Sequence, residues 1–448
     1  MDMSRGEGIF REFLLKLKQR GYLSEIDKVV SPIYEISAIL DGAGTKPIFF
    51  RKVKGFDGSV VGNLYSNNDL LASALGVRVD KLHERIASAI NAPRESSCVA
   101  YDSKNWKINT EPDLSKIPIL KHYKGDSGPY LTASIVAIRS KRNQRENISV
   151  HRMMILGKRE LAARVVPRHL GQILKEEGGE ADIAIFLGCD PAVFVGASLQ
   201  TGPGICEYDV ANTLMGGRLQ LMKCEGIDVA VPLNAEIVLE GTISARKMVK
   251  EGPFVDLTRT IDEVRMQPRI VLKKMHVRQR PIYHAILPGG EEHKLFMGLP
   301  QELKVIDSLK RAVSRVRGIS FPSGGCRYFH CVVSIEKETD GDGKTAIINC
   351  FAASHSLKLV VAVDSDIDPN DQAAVEWAIA TRFQADRGLV FIEGARGSTL
   401  DPSSDKKGIT SKIGIDATLN VGTTRTIFKK AETVRNRTVS NVLKNIMR

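Results

Sequence analysis

The sequence predicts a mixed α/β (α+β) chain: a mostly antiparallel sheet or barrel with inserted helices, a linking helix, and a small α/β C-terminal domain. Three observations predict it. Residues 110–300 are rich in short apolar runs bounded by Gly, Pro and Asp, such as YLTASIVAIRS and LQLMKCEGIDVAVPLNAEIVLEGTIS, whose β-branched content and spacing read as strands. Residues 300–320, beginning PQELKVIDSLKRAVSRVRG, carry a long amphipathic helical period. Beyond them, strand-like FHCVVSIEK and LKLVVAVDSDID alternate with helix-like GKTAIINCFAAS and DQAAVEWAIATRF.

Taken in chain order, the N-terminus MDMSRGEGIFREFLLKLKQRG reads as an amphipathic helix, because charges interrupt its apolar pattern as no signal-peptide core would allow. PIFFRKVKGF reads as a strand entering a Gly turn, and NDLLASALGV as a short helix ending near Gly76. LPGGEEHK reads as a surface loop. VDSDIDPND lacks the ligand and Gly spacing of a calcium loop and reads as a strand end with Asp caps. The expected division is residues 1–110, an N-terminal α/β segment; 111–300, the domain carrying the site; 301–320, a linker helix; and 321–448, a C-terminal α/β domain.

The chain has 448 residues, 43% hydrophobic and 26% charged, an ordinary balance for a globular protein. No apolar run approaches the ~18 residues of a membrane span, so a cytoplasmic location without a membrane span is expected. The seven cysteines include no CxxC pair, which argues against a disulfide framework or a zinc-thiolate site. The formal net charge is +12, but the basic residues are scattered and no nucleic-acid-binding signature is present. A solvated basic surface is the plainest account and an anionic ligand the next; a nucleic-acid partner is not expected.

Several residues are candidates for chemistry. KEGPFVDLT holds Glu251 and Asp256, five residues apart. That spacing shares no face of a helix or a strand, and Gly252-Pro253 between them predicts a turn. In NISVHR, strand alternation puts Arg152 on the side of Ile148 and Val150. A guanidinium on an apolar face needs an acidic partner, either a structural carboxylate or a ligand's. His169 follows Pro167 near a helix start, and Glu207 follows a Gly-Pro-Gly loop. Each has an ordinary structural role as an alternative, a satisfied histidine and a helix-capping acid. With Asn147 they would offer one nitrogen and two oxygens, a set suited to Mn²⁺ or Mg²⁺ shared with a phosphate. Lys344, at a helix start after the glycines of DGDGKTAIINC, would suit a phosphate.

Nine segments in order resemble the UbiD family of decarboxylases: FFRKVKGF, NISVHR, RHLGQI, LGCDPAVFVGAS, GICEYDVANTLMGG, VPLNAEIVLEGTIS, EGPFVD, VVAVDSDIDPNDQAAVEWAIATRF and LDPSS…SKIGIDAT. The resemblance spans roughly residues 45–420. It implies a split β-barrel flavin-binding domain, prenylated FMN as cofactor, and non-oxidative decarboxylation of an unsaturated acid. It places the family's catalytic Arg and two acids on Arg152, Glu251 and Asp256, with Asp256 as proton donor. It places the metal ligands on Asn147, His169 and Glu207, where Mn²⁺ or Mg²⁺ bridges the cofactor phosphate, and a K⁺ ion near the backbone of Ala197, Ser198 and Leu199. The cofactor-binding set it implies adds Ser149, Val150, His151, Arg168 and Lys344. A flavin prenyltransferase as cofactor supplier and a homo-oligomer, dimer or hexamer, are the implied partners. The likeness of AIATRFQADR and ARGSTLDPSS to an archaeal branch implies trans-anhydromevalonate 5-phosphate as substrate, converted to isopentenyl phosphate in isoprenoid biosynthesis; an aromatic acid or polyprenyl-4-hydroxybenzoate is the alternative. One residue departs from the pattern: Val255 stands where the family's EGPFG has its second Gly. A φ > 0 there would be strained for Val.

Overall fold

The computed structural model describes residues 8–428 except 103–105, 110, 143, 203 and 406, together with 431, 439 and 442. Most of the basic tail lies outside the described residues.

Helix Ile9–Gln19 has the amphipathic character expected, burying Phe10, Phe13, Leu14 and Leu17. A four-stranded sheet follows, in the order Ser24–Val30, Ile48–Val53, Ser59–Gly62 and Ile282–Ala285. Helix Asn68–Leu75 starts at the Asn67 cap and stops at Gly76 in the left-handed conformation, as its sequence predicts. The last strand of this sheet comes from far along the chain, so the boundary expected at residue 110 is crossed in space.

The central element is an antiparallel sheet of nine described strands. Its main path runs Tyr130–Leu131, Met153–Gly157, Glu160–Ala163, Arg265–Arg278, Ile237–Glu251, Glu180–Leu187, Ile135–Arg139, Glu146–Val150. Strands Glu146–Val150 and Met153–Gly157 lie six strand spacings apart on this path. Flat, that would be roughly 29 Å. Yet only His151 and Arg152 join them, a link that spans at most about 11 Å from Val150 to Met153. The sheet therefore curls into a split half-barrel, and Arg152 sits at the split. His151 N–H donating to Ser134 O (3.1 Å) and Ser134 Oγ donating to His151 O (2.7 Å) fasten the link.

Around strands Ile135–Arg139 and Glu180–Leu187 both faces of the curled sheet are buried. Val136, Ile138, Ile183 and Ile185 face one apolar core, while Ile135, Ala137, Ala184 and Phe186 face another with helices Pro191–Ser198 and Glu207–Leu214. This explains why these strands read as apolar runs rather than as clean alternations.

The linking helix runs Glu291–Ala312, starting ten residues before the expected 301 and ending before Val313. Pro300 lies inside it. The acids of LPGGEEHK occupy its first turn, where they favour the positive helix end. That stretch is not a surface loop: Glu292 is 1% exposed and accepts from Leu64 N (3.1 Å), Tyr65 N (3.2 Å) and His284 Nε2 (2.8 Å). Residues beyond Ala312 enter strand Val316–Ser320 of a five-stranded α/β sheet that continues with His330–Ile335, Leu359–Asp364, Ile409–Ala417 and Leu389–Arg396. Helices Asp342–Ala353 and Gln372–Arg382 fall where predicted, and Asp371 caps the latter through Ala374 N.

Candidate active site

Strand Ile237–Glu251 ends at Glu251, and Gly252 then turns the chain with φ +101°. A Cβ there would meet Glu263 O at 3.0 Å, so glycine suits both the conformation and the space. The following strand Phe254–Val255 pairs with Ile261–Asp262, Phe254 opposite Asp262. The turn brings three acids, not two, around Arg152. The guanidinium donates through Nε and Nη2 to the two oxygens of Glu251 (3.0 Å each) and through Nη2 to Asp262 Oδ2 (2.8 Å). Its Nη1 pairs with Asp256 Oδ2. Phe254 lies under the guanidinium, 4.6 Å from ring centroid to Cζ.

The partner that the sequence required for Arg152 is thus Glu251, which is completely buried. Burial works against the Arg152 charge, but Asp256, Glu251 and Asp262 outweigh it and raise its pKa. Burial likewise opposes ionised Asp262, yet Arg265 and Arg152 hold it below the usual carboxylate range.

Val255 takes extended backbone, not φ > 0, and is buried. Its N–H donates to Asp126 Oδ1 (2.9 Å), and Asp126 Oδ2 accepts from Tyr123 N (2.9 Å). Asp126 thereby ties the loop Tyr123–Asp126 to the backbone beside Asp256, so Val fits where the family has Gly. Asp256 Oδ1 accepts from Leu257 N (2.6 Å), and His293 Nε2 stands 3.9 Å from that oxygen. Gly289 N–H donates to His293 Nδ1 (2.9 Å), so the neutral ring carries its proton on Nε2, facing Asp256. Burial holds His293 below the ordinary histidine range. The sequence reading missed both Asp262 and His293. Asp262 lies beyond EGPFVD, and His293 was assigned to the supposed surface loop.

A second cluster lies on the same cavity. Glu207 begins helix Glu207–Leu214 and His169 begins helix His169–Glu176. Glu207 Oε2 accepts from Asn147 Nδ2 (3.0 Å) and Ile148 N (3.2 Å), and Oε1 accepts from Thr201 Oγ1 (2.7 Å). His169 Nδ1 lies 3.4 Å from Glu207 Oε1, and that contact raises the His169 pKa. The three residues expected to hold a metal therefore meet. Among the described residues Asn147 Oδ1 is buried without a hydrogen-bond partner, an acceptor that a hard cation would satisfy. Among the described residues no group of three His, Cys, Asp or Glu side chains forms a metal cluster, so any ion here depends on the Asn147 amide.

Arg152, Asp256 and His293 of the first cluster and Asn147, His169 and Glu207 of the second line one cavity of about 600 Å³, with Glu251 and Asp262 behind the guanidinium. Of the expected cofactor set, Asn147, Ser149, Val150, His151, Arg152, Arg168, His169, Ala197, Ser198 and Glu207 all line it. Lys344 does not: it sits on an exposed face of helix Asp342–Ala353. The ammonium at the cavity is Lys304, with the guanidinium of Arg164 as a further cation that sequence reading did not single out.

No helix among the described residues is long and apolar enough to cross a membrane. Residues 14–90, 98–291 and 294–417 match the N-terminal, Rift-related and C-terminal domains of 3-octaprenyl-4-hydroxybenzoate carboxy-lyase, UbiD. The anhydromevalonate phosphate decarboxylase of Methanothermobacter thermautotrophicus is 42% identical over 411 residues, covering 91% of this chain and 96% of the relative. That of Aeropyrum pernix is 36% identical over 406 residues, covering 90% and 91%. Among solved structures, the UbiD-class enzyme HmfF from Pelotomaculum thermopropionicum in complex with FMN superposes with a TM-score of 0.92 at 34% identity, covering 95% of this chain and 97% of that one. An evolved dimeric form of HmfF in complex with prFMN gives 0.87 at 32% identity, covering 96% and 97%. With its three domains matched in order and its half-barrel built around Arg152, the chain belongs to the UbiD family.

Proposed function

We propose that this protein is a prenylated-FMN-dependent decarboxylase acting on anhydromevalonate phosphate. The observation that carries the reading is the charge of the cavity wall. Arg152 is saturated by three carboxylates, but Arg164, Arg168 and Lys304 also line the cavity and make no ion pair with a carboxylate among the described residues. Burial, then the charges of Arg265 and Arg152, lowers the Arg164 pKa, with Asp262 and Glu251 opposing the shift. A wall with three uncommitted cations suits ligands that bring phosphate as well as carboxylate.

The cofactor residues fit the group. Asn147, His169 and Glu207 would hold a Mn²⁺ or Mg²⁺ ion against its phosphate, and His151 and Arg168 border the same space. When bound, prenylated FMN supplies the electron sink that a departing CO₂ requires. The chain supplies position and protons. Arg152 holds Glu251 rigidly by two parallel bonds, which leaves Nη1 as the edge open to exchange. A substrate carboxylate taking Nη1 displaces Asp256. Freed of the guanidinium, the Asp256 carboxylate takes up a proton from solvent. Thus released, Asp256 delivers its proton to the carbon that lost CO₂, and the fixed Nε2–H of His293 steadies the carboxylate left behind.

The test loads the enzyme by co-expression with a flavin prenyltransferase, identifies the bound flavin by mass spectrometry, and measures CO₂ release from anhydromevalonate phosphate beside a panel of aromatic acids. Release from the phosphorylated acid and not the panel is expected; release from an aromatic acid alone would overturn the substrate.

A further inference from the structure

We infer that Lys304, with the Ser398–Thr399 turn facing it from the C-terminal domain, is the binding site for the substrate's phosphate monoester. The inference rests on the decarboxylase reading above and names the residues that select the substrate.

Lys304 projects from the linking helix, and among the described residues its hydrogen bond goes to a neutral amide, Gln200 Oε1, at 2.5 Å. Burial and the neighbouring Arg168 push its pKa down. Ser398, Thr399 and Leu400 line the same cavity from the C-terminal domain. Arg396 lies just before them, exposed and without a carboxylate partner among the described residues. Burial, then the charges of Arg396, Arg168, Lys412 and Lys304, lowers the His355 pKa. Arg168 and Lys304 therefore come from separate elements to one wall of the cavity, and neither makes a salt bridge among the described residues, whereas Lys412 is buried and donates to the backbone carbonyls of His355 and Leu357. Like charges held together destabilise each other until an anion enters.

The facing turn is firmly built. Gly397 N donates to Gly408 O (2.8 Å), and a Cβ at Gly397 would lie 2.6 Å from Thr410 Cγ2. Leu400 N donates to Ser398 Oγ (3.2 Å), and Asp401 N to Ser398 O (3.1 Å). Below the turn, Asp401 is held by Lys358 (3.0 Å) and by Ser403 N (2.9 Å). Thr399 is left exposed at the cavity. A phosphate monoester brings nearly two negative charges and three acceptor oxygens, enough to engage an ammonium on one side and a hydroxyl on the other. A carboxylate has neither the charge nor the reach. The cofactor's phosphate is the other candidate source of this chemistry. It has its own set at Asn147, His169 and Glu207, and Arg168, beside His169, lies between the two.

The test titrates isopentenyl phosphate and isopentenyl alcohol calorimetrically into the flavin-loaded wild type, Lys304→Met, Lys304→Arg and Thr399→Val. Wild type is expected to prefer the phosphate by roughly 100-fold, and Lys304→Met to lose about tenfold or more of phosphate affinity with no change for the alcohol. Lys304→Arg keeps most of the affinity, Thr399→Val loses a few-fold, and every variant keeps its flavin. Unchanged phosphate binding in Lys304→Met, or an equal loss for the alcohol, overturns the inference. So does loss of flavin, which would assign Lys304 to the cofactor. The reading of the reaction fails on a different result, the absence of CO₂ release from anhydromevalonate phosphate by wild type, so the two failures are told apart.

Discussion

Arg152 Nη2 is shared between two acids, Glu251 Oε2 at 3.0 Å and Asp262 Oδ2 at 2.8 Å. Asp262 is itself paired with Arg265, so it reaches Arg152 as one end of a fixed ion pair. It touches the guanidinium and not the open cavity, since it is absent from the lining. Held by Arg265 on one oxygen and bound to Arg152 through the other, it restrains the guanidinium beside Glu251. Asp262→Asn is therefore expected to lower kcat by about tenfold, the scale of one charge-assisted hydrogen bond, with flavin content unchanged. Steady-state kinetics on the loaded enzyme decide it: an unchanged kcat removes Asp262 from the machinery.

The second cluster makes a prediction about metal. His169 is 45% exposed and pairs with Glu207, which is 2% exposed. His169→Ala removes a nitrogen donor without opening the core, so folding is expected to be intact while metal and flavin are retained at less than about a tenth of wild type, the usual effect of perturbing a ligand set. Elemental analysis and flavin absorbance read the two separately. Full metal and flavin content would show that His169 is not a ligand on which either depends.

A pH dependence follows from His122. It is 3% exposed, and neither ring nitrogen has a partner among the described residues. Burial, then the nearby His293, lowers its pKa from 6.5 to about 3. The folded state thus disfavours a proton that the unfolded chain accepts below about pH 6.5, so this contribution is fully present above that pH and is lost as pH falls towards 3. One proton corresponds to about 1.4 kcal/mol per pH unit within that window. In denaturant titrations between pH 5 and 7, His122→Phe is expected to show a shallower loss of stability than wild type by about that slope. Equal slopes would mean that the ring is hydrated or paired.

Much of this was legible in the sequence, and the parts that were not have physical reasons. Strands and helices with a clear period, such as Asn68–Leu75 and Gln372–Arg382, fall where their patterns put them. Helix Pro191–Ser198 was hidden because seven of its eight residues are buried, which erases the amphipathic signal. The start of helix Glu291–Ala312 was hidden by its glycines and acids, which look like a loop but act as a helix N-terminus around buried Glu292. The meeting of Arg152 with Glu251, 99 residues later, follows from the need to pair a charge among apolar neighbours. The third acid does not follow from that need, since one carboxylate already meets it. Lys344 shows the opposite error: a lysine after glycines suits a phosphate in general, but here the helix turns it outward, and Lys304 occupies the cavity instead.

The central claim is that Asp256, released from Arg152 by the substrate carboxylate, is the proton donor. The most direct measurement is turnover of anhydromevalonate phosphate by flavin-loaded Asp256→Asn beside wild type. An amide keeps the shape and cannot deliver a proton, so kcat is predicted to fall by at least about 100-fold, as for loss of a general acid, with flavin content and unfolding midpoint unchanged. Turnover within a few-fold of wild type would contradict the account, because protonation would then come from another group.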